Sequence, residues 1–391
     1  MEINARRSMI SAEFHQHFGR LPEIWARAPG RVDLMGSHTD YNQGFVLTMT
    51  IDRDTWIAAA PRSDRTIEVY SLNLEGGGPF DLEQIRHDQQ WPWTDYVRGV
   101  AKMYQQAGYG LAGFDAVIHS NIPFGSGLSS SAAIEMATAE VIQMVGGFQV
   151  NPVEKALLGQ MAENQFVGVN TGILDQYSSA LGREGSAILL DCRDLSNRVM
   201  TISEDLNVMV CDTRTERKLK GTEYDDRRAQ CEEGVRLLQD WYPQIQALRD
   251  VSMEQFEPYE TELPPAVAKR CRFIIEENQR VLNLADTLPT GDRKMLQKLL
   301  SDSFAGARDL YEISTPAMEA MMVAMMDSDG VIGARQAGAG FGGSMVSLVE
   351  NSHVLPFAEG VRRKYQERTG IDPYVYNVEP APGSGPLVMV E

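Results

Sequence analysis

A chain of 391 residues is long enough for two lobes or one large domain, because single hydrophobic cores stop growing near roughly 250–300 residues. Its 43% hydrophobic and 23% charged content is that of a globular protein, and 54 acidic against 36 basic residues leave a formal charge of −18. That field repels phosphate backbones, so no nucleic-acid partner is expected, and no apolar run of membrane-spanning length occurs.

In chain order, residues 9–19 read as a short helix, and "FVLTMTIDRDTWIAAA" has the partial alternation of paired strands. "FDAVIHSNIP" is a strand that Pro123 ends, and Ser129 to Val145 reads as an Ala- and Met-rich helix. A second helix follows Asn151, with the asparagine as cap and Pro152 in the first turn. "GSAILLDC" and "LNVMVCDT" are buried-strand candidates. Beyond Thr222, helical patterns cover about 223–248, 266–284, 294–312 and 316–326. A glycine-dense stretch then runs into the strand "SMVSLV", a helix near 354–369 and a Pro/Gly-rich end. The expected class is α+β, with a mixed-sheet first half and a helix-rich second half.

The four cysteines, Cys192, Cys211, Cys231 and Cys271, form no Cys-x-x-Cys pair, so neither a disulfide framework nor a zinc site is expected and a cytoplasmic setting fits. His15 and His17 lie in a polar helix and read as solvated. The N-terminus lacks the apolar stretch of a signal peptide. Nothing in the sequence sets the oligomeric state.

Three glycine-bearing stretches carry the chemistry. In "NIPFGSGLSSSAAIE" a strand ends, Gly125 and Gly127 turn the chain, and Ser129, Ser130 and Ser131 open a helix. Glycines let a phosphate approach the backbone, and the helix start offers free N–H groups and a favourable dipole. The hydroxyls add donors or a Mg2+ ligand. A plain helix cap would need only one serine. "GAGFGG" at 338–343 has Gly-x-Gly-x-x-Gly spacing, but a strand follows it instead of a helix, so a loop abutting the phosphate site or the sugar fits better than a dinucleotide site. In "NTGILDQYSSALG", Asp175 follows the turn glycine Gly172, just beyond the helix that carries Glu163. Arg31, Asp40 and Asp175 sit in separate Gly-bearing loops, which favours one shared site.

Together these stretches resemble the GHMP kinases, and the resemblance narrows to the galactokinase family. "APGRVDLMGSHTDYNQGFVL" is similar to the galactokinase signature, "PFGSGLSSSAA" to the superfamily's phosphate loop, "NTGILDQYSSALG" to its aspartate segment and "ARQAGAGFGG" to its third motif. "TEYDDRRAQCE" and "WTDYVRGV" also resemble galactokinase segments. The resemblance implies a two-lobed fold with the active site in the cleft, residues 1–190 forming the first lobe and 191–391 the second, the last segment returning to the first. It implies transfer of the ATP γ-phosphoryl group to the anomeric hydroxyl of a galactose-shaped sugar, so the partners are a small sugar and ATP.

By motif position, Asp175 matches the catalytic carboxylate and Arg31 the arginine beside it. Ser131 and Glu163 match the Mg2+ ligands. Arg31, Ser37, His38, Asp40, Gly172, Asp175 and Tyr224 fall at sugar contacts. Gly125, Ser126, Gly127, Leu128, Ser129, Ser130 and Ser131 form the phosphate loop, and Trp93 and Tyr96 fall where adenine is held. Phosphoryl transfer has a loose transition state, so the aspartate is expected to orient the hydroxyl and take its proton late.

Ser37 stands where galactokinases usually have a glutamate that contacts the C6 hydroxyl, and Asp33 where they usually have asparagine. Two unit charges about 4 Å apart repel by roughly 4 kcal/mol at an effective dielectric near 20, so losing the glutamate admits a C6 carboxylate. "TRTERKLKGTEY" adds a basic cluster in which Arg217 and Lys220 are candidates for meeting it, with Arg214 and Lys218 beside them. The expected substrate is galacturonate, with galactose as the alternative and a non-catalytic sugar sensor as a third reading.

Overall fold

The computed structural model describes residues 2–215 and 223–387. In chain order its strands are β1 (Ile24–Met35), β2 (Phe45–Pro61), β3 (Thr66–Ser71), β4 (Gly76–Asp81), β5 (Phe114–Ser120), β6 (Ser186–Asp191), β7 (Asn197–Thr201), β8 (Leu206–Asp212), β9 (Val331–Gln336), β10 (Ser344–Glu350), β11 (Tyr374–Val378) and β12 (Gly385–Pro386). The helices are α1 (Ile3–Phe18), α2 (Asp95–Gln106), α3 (Ser130–Gly146), α4 (Pro152–Met161), α5 (Leu174–Leu181), α6 (Glu223–Leu238), α7 (Met253–Phe256), α8 (Pro265–Thr287), α9 (Arg293–Asp309), α10 (Pro316–Met326) and α11 (Val354–Thr369). This is the expected α+β class. Among the described residues no helix is long and apolar enough to cross a membrane.

Two sheets organise these elements. The larger runs β12-β1-β2-β5-β3-β4, with β6 paired to β2 and β7 to β6; the smaller runs β11-β8-β10-β9. β2 is one 17-residue strand, where the sequence suggested a pair. Its charged centre reads as a turn, yet Asp54 is buried and takes Arg6, Arg27 and the Trp56 indole N–H as partners. The first half of β2 pairs with β6 and the second with β5, while β1 runs along both. Helix α3 packs against β1 and β2, and α8 reaches the same strands from the second half of the chain. Burial of this all-apolar seam, Val32, Leu34, Leu47, Met49, Leu128, Val281 and Leu284 among it, joins the two halves through one core.

Two local irregularities prepare the site. The β1–β2 register shifts between Pro29 and Arg31, and such bulges re-aim side chains. Gly30 lies in this kink, where a Cβ would meet the Leu128 carbonyl at 2.6 Å. The missing side chain lets Arg31 N donate to that carbonyl at 3.1 Å, which docks β1 onto the loop before α3. The second irregularity is a π-turn, residues 162–167, that extends α4 and carries Glu163; turns of this kind recur at functional positions. The edge of the large sheet is closed late in the chain. Gly385 and Pro386 pair with Arg27 and Ala26, Arg27 Nη1 donates to the Pro382 carbonyl at 2.9 Å, and Thr50 Oγ1 donates to that of Ala381.

The helix predicted over 223–248 stops at Leu238, because Pro243 cannot continue it and the chain turns at 239–243. Asn151 caps α4 as expected, its side chain accepting from Val153 N at 2.9 Å.

Candidate active site

Helix α3 begins with its backbone donors uncapped. Ser129 sits at its N-cap in a left-handed conformation, φ 60°, and makes no side-chain cap bond. Its buried hydroxyl has no partner. A serine serving as a cap would accept from the helix's own N–H groups, so this one is held for something else. Gly125 and Gly127, with φ of 73° and 82°, shape the loop before it. Ser126 and Leu128 have structural parts: Ser126 Oγ donates to the Pro123 carbonyl at 2.7 Å, and Leu128 is buried in the core. A cavity of about 300 Å³ opens here, lined by Gly125, Gly127, Ser129, Ser130, Ser131, Tyr96, Glu163, Thr171, Arg31 and Asp175. Trp93 packs against the neighbouring core with its indole N–H buried and unpartnered.

Glu163 is buried, and burial raises its pKa, as does Asp175 nearby; bonds from Thr171, Gln176 and Ser131 act in the opposite direction. Its Oε2 accepts from Thr171 Oγ1 and from Gln176 Nε2, each at 2.7 Å. Gln176 also donates to Glu135 Oε2 at 2.9 Å, and burial holds that carboxyl well above the usual range. A serine hydroxyl and a carboxylate sharing one cavity wall are the hard oxygen donors Mg2+ takes alongside phosphates and water, so Ser131 and Glu163 fit such an ion. Among the described residues no group of three or more acidic, His or Cys side chains is placed to hold a metal ion.

Arg31 and Asp175 separate this cavity from a second. Arg31 Nε and Nη2 meet Asp175 Oδ1 at 2.8 and 2.6 Å, and Nη1 donates to the Gly127 carbonyl at 2.6 Å. The second cavity, about 50 Å³, is lined by Arg31, Asp33, Ser37, His38, Asp40, Thr171, Gly172, Leu174, Asp175, Tyr224, Gly338 and Ala339. Gly172 lies against the Asp40 carboxylate, where a Cβ would meet Oδ2 at 1.7 Å. Burial, with Asp175 and Asp33 nearby, pushes the Asp40 carboxyl up to about 6, against a counteracting bond from Tyr41 N.

Two side chains expected to face the sugar are engaged elsewhere. Ser37 Oγ has Asp33 Oδ2 at 2.6 Å and the Gly338 carbonyl at 2.8 Å as acceptors for its single proton, and it accepts from Arg335 Nη2 at 2.9 Å. Its one proton is thus committed within the protein and one lone pair is taken by Arg335, and it is 2% exposed. Arg335, fully buried, also bonds Glu277 at 3.2 Å and lies 3.6 Å from Asp33. Burial raises the Asp33 pKa, Arg335 and Ser37 opposing it. His38 Nε2 must donate to the Ala339 carbonyl, 2.8 Å away, because a carbonyl only accepts; Nδ1 then accepts from Tyr41 Oη at 2.6 Å. No Ser37 proton is therefore left for a sugar. Instead, Ser37 and His38 fasten the 36–44 loop to the glycine-rich loop 338–343, whose far end meets the phosphate loop through Ser344 N and the Ser126 carbonyl at 3.0 Å.

Arg217, Lys218 and Lys220 lie outside the described residues. Arg214 stacks on Tyr374 at 4.7 Å and donates to the Asp372 carbonyl, so it belongs to the edge of the small sheet. Sequence reasoning gave no role to Arg335, Glu277, Thr171 or Gln176. Arg335 lies within the quoted third motif and Thr171 and Gln176 within the aspartate segment, so the motifs pointed to their neighbourhood; no signal marked Glu277.

Known proteins resemble this chain over most of its length. The galactokinase galactose-binding signature matches residues 12–61, and the GHMP kinase N-terminal domain matches residues 95–183. Galactokinase of Roseiflexus sp. (strain RS-1) is 42% identical over 376 residues, 96% of each chain. That of Chloroflexus aurantiacus (strain ATCC 29366 / DSM 635 / J-10-fl) is 44% identical over 363 residues, 93% of each. The crystal structure of Lactococcus lactis galactokinase complexed with galactose superposes with a TM-score of 0.93 at 32% identity, covering 97% of this chain and 99% of that one. A mevalonate kinase crystal structure, at 17% identity and a TM-score of 0.62, shares the fold. The chain belongs to the galactokinase family of the GHMP kinases, and it is a sugar kinase.

Proposed function

We propose that this kinase transfers the γ-phosphoryl group of ATP to the anomeric hydroxyl of galactose, with Mg2+ as the accompanying cation. The observation that carries the reading is the Arg31–Asp175 pair, which forms the shared wall of the two cavities. A phosphate on one side and a sugar hydroxyl on the other would meet across it. Catalysis of phosphoryl transfer is chiefly positioning and charge stabilisation, and both groups suit that work.

Asp175 orients the anomeric hydroxyl and accepts its proton as the phosphoryl bond forms. Arg31 holds Asp175 Oδ1 and places its remaining positive charge by the phosphates. Ser129, Ser130 and Ser131 with the α3 N-terminus bind the phosphate oxygens, and Tyr96, which lines the cavity, is the aromatic group offered to adenine, with Trp93 three residues before it. The cation, held by Ser131 and Glu163, would neutralise charge on the phosphates. Asp40 and Tyr224 contact the sugar, Gly172 leaves it room, and Ser37 and His38 hold the loop that frames it. The first lobe is built on the large sheet and the second on the small one.

A neutral sugar is favoured by the wall of its cavity. Asp33, Asp40 and Asp175, three carboxyl groups, stand there against Arg31 in the wall and the buried Arg335 behind Asp33, and the Ser37 hydroxyl has no proton to spare. A C6 carboxylate would bring a further negative charge to a set that already repels itself. Galacturonate, expected from the lost glutamate, is thereby the less supported substrate. The test is ADP release over a panel of galactose, galacturonate and 6-deoxygalactose. Galactose is expected to give the highest kcat/KM. Preference for galacturonate would overturn the neutral-sugar reading, and ligand-induced thermal stabilisation without turnover would make the protein a sensor.

A further inference from the structure

We propose that Thr171 and Gln176 are positioning residues that orient the Glu163 carboxylate toward the divalent cation, an inference that rests on the phosphoryl-transfer reading above. Both of their hydrogen bonds fall on the same oxygen, Oε2, at 2.7 Å, and neither touches Oε1. A carboxylate gripped twice through one oxygen is fixed in rotation, so its second oxygen keeps a constant direction. Ser131, the other oxygen donor, lines the same cavity wall.

Each member of the grip is itself held. The Thr171 N–H donates to Asn164 Oδ1 at 3.1 Å, and the Thr171 carbonyl accepts from Asn164 Nδ2 and Gln160 Nε2, both at 3.2 Å. These partners lie on α4 and its π-turn, the same segment that supplies Glu163. Gln176 is fully buried, and its second amide hydrogen is spent on Glu135. Thr171 and Gln176 flank Asp175, so the segment that presents the candidate base also sets the cation's ligand. Thr171 further lines both cavities, which ties the cation's place to the sugar's. Partners of this kind outside the ligand set govern metal affinity.

The test uses Mn2+ as probe, with free ion measured by electron paramagnetic resonance in the presence of a non-hydrolysable ATP analogue. Thr171→Val keeps the side-chain shape and removes the donor. It is expected to weaken Mn2+ binding to the nucleotide-loaded protein by about 10- to 100-fold, while Thr171→Ser restores it. Metal-free nucleotide affinity should stay within about twofold, a separation that a merely structural role would not produce. Unchanged Mn2+ affinity in Thr171→Val, or an equal loss of metal-free nucleotide binding, overturns the proposal. If Thr171→Val does not fold, the same titrations on Gln176→Met decide, with weaker Mn2+ binding expected and unaltered binding refuting it. Absence of sugar-dependent ADP release by the unaltered protein would sink the functional reading instead, and the Mn2+ comparison would still decide the role of Thr171.

Discussion

The two cavities on either side of Arg31 and Asp175 differ in how their polar groups are satisfied. On the sugar side Ser37, His38 and Arg335 spend their hydrogen bonds on other parts of the protein. On the nucleotide side the Ser129 hydroxyl is buried without a partner, and α3 begins uncapped. An unpaired buried donor costs free energy that a ligand can recover, whereas donors already paired, as at Ser37, His38 and Arg335, leave shape and charge to act. The sugar side is therefore expected to be rigid and selective, and the nucleotide side to be stabilised by its ligand.

The severest way to break this comparison is at its boundary. Asp175→Asn should cut sugar-dependent turnover by about 10²- to 10⁴-fold while ATP still binds; steady-state kinetics beside nucleotide titration would check both halves. Next is the rigid wall itself. Arg335→Met removes a buried guanidinium from Glu277, Asp33 and Ser37, and should cost about 3–5 kcal/mol of stability in urea unfolding.

A third test is titration. Asp40 has a folded pKa near 6, above its ordinary value, so between the two values the folded state holds the proton more tightly than the unfolded chain does. Stability therefore falls as pH rises through that window, and the cost is fully felt above about 6. A sugar hydroxyl donating to ionised Asp40 offsets that cost, so kcat/KM for the sugar should rise toward a plateau with an inflection near 6. In Asp40→Asn this limb should disappear along with much of the sugar affinity. The mildest test sharpens the other side. Ser129→Ala deletes a hydroxyl with no partner, so stability should move by no more than about 0.5 kcal/mol, while ATP affinity drops several-fold.

Much of the nucleotide side was legible in the sequence because its parts are local: two glycines, three serines and a helix follow one another from 125 to 146. Helices α9, α10 and α11 were legible for a similar reason, each being bounded by Pro, Gly or Asp signals. The sugar side was misread at Ser37 because its partners are distant in sequence, Arg335 lying 298 positions away. A small residue then looks like a vacancy, although a buried guanidinium donates to its hydroxyl and Asp33 and Gly338 claim its proton. Strand β4, "GGGPFD", reads as a loop; it is a strand only because it lies at the sheet's edge, where Pro79 can be tolerated. Strand β7 is largely exposed and carries little apolar alternation, so nothing in its own residues announces it.

The pairing of Gly385 and Pro386 with β1 has a consequence for the order in which the molecule is made. A ribosome delivers the arginine strand, both serine and aspartate loops and most of the helices before it reaches the residues that close the edge beside them. Until that closure the Arg27 guanidinium lacks the Pro382 and Gly383 carbonyls and Thr50 lacks that of Ala381. A product released before residues 381–386 would thus carry Arg31, the serine loop and Asp175 on a sheet whose edge beside Arg27 is still open.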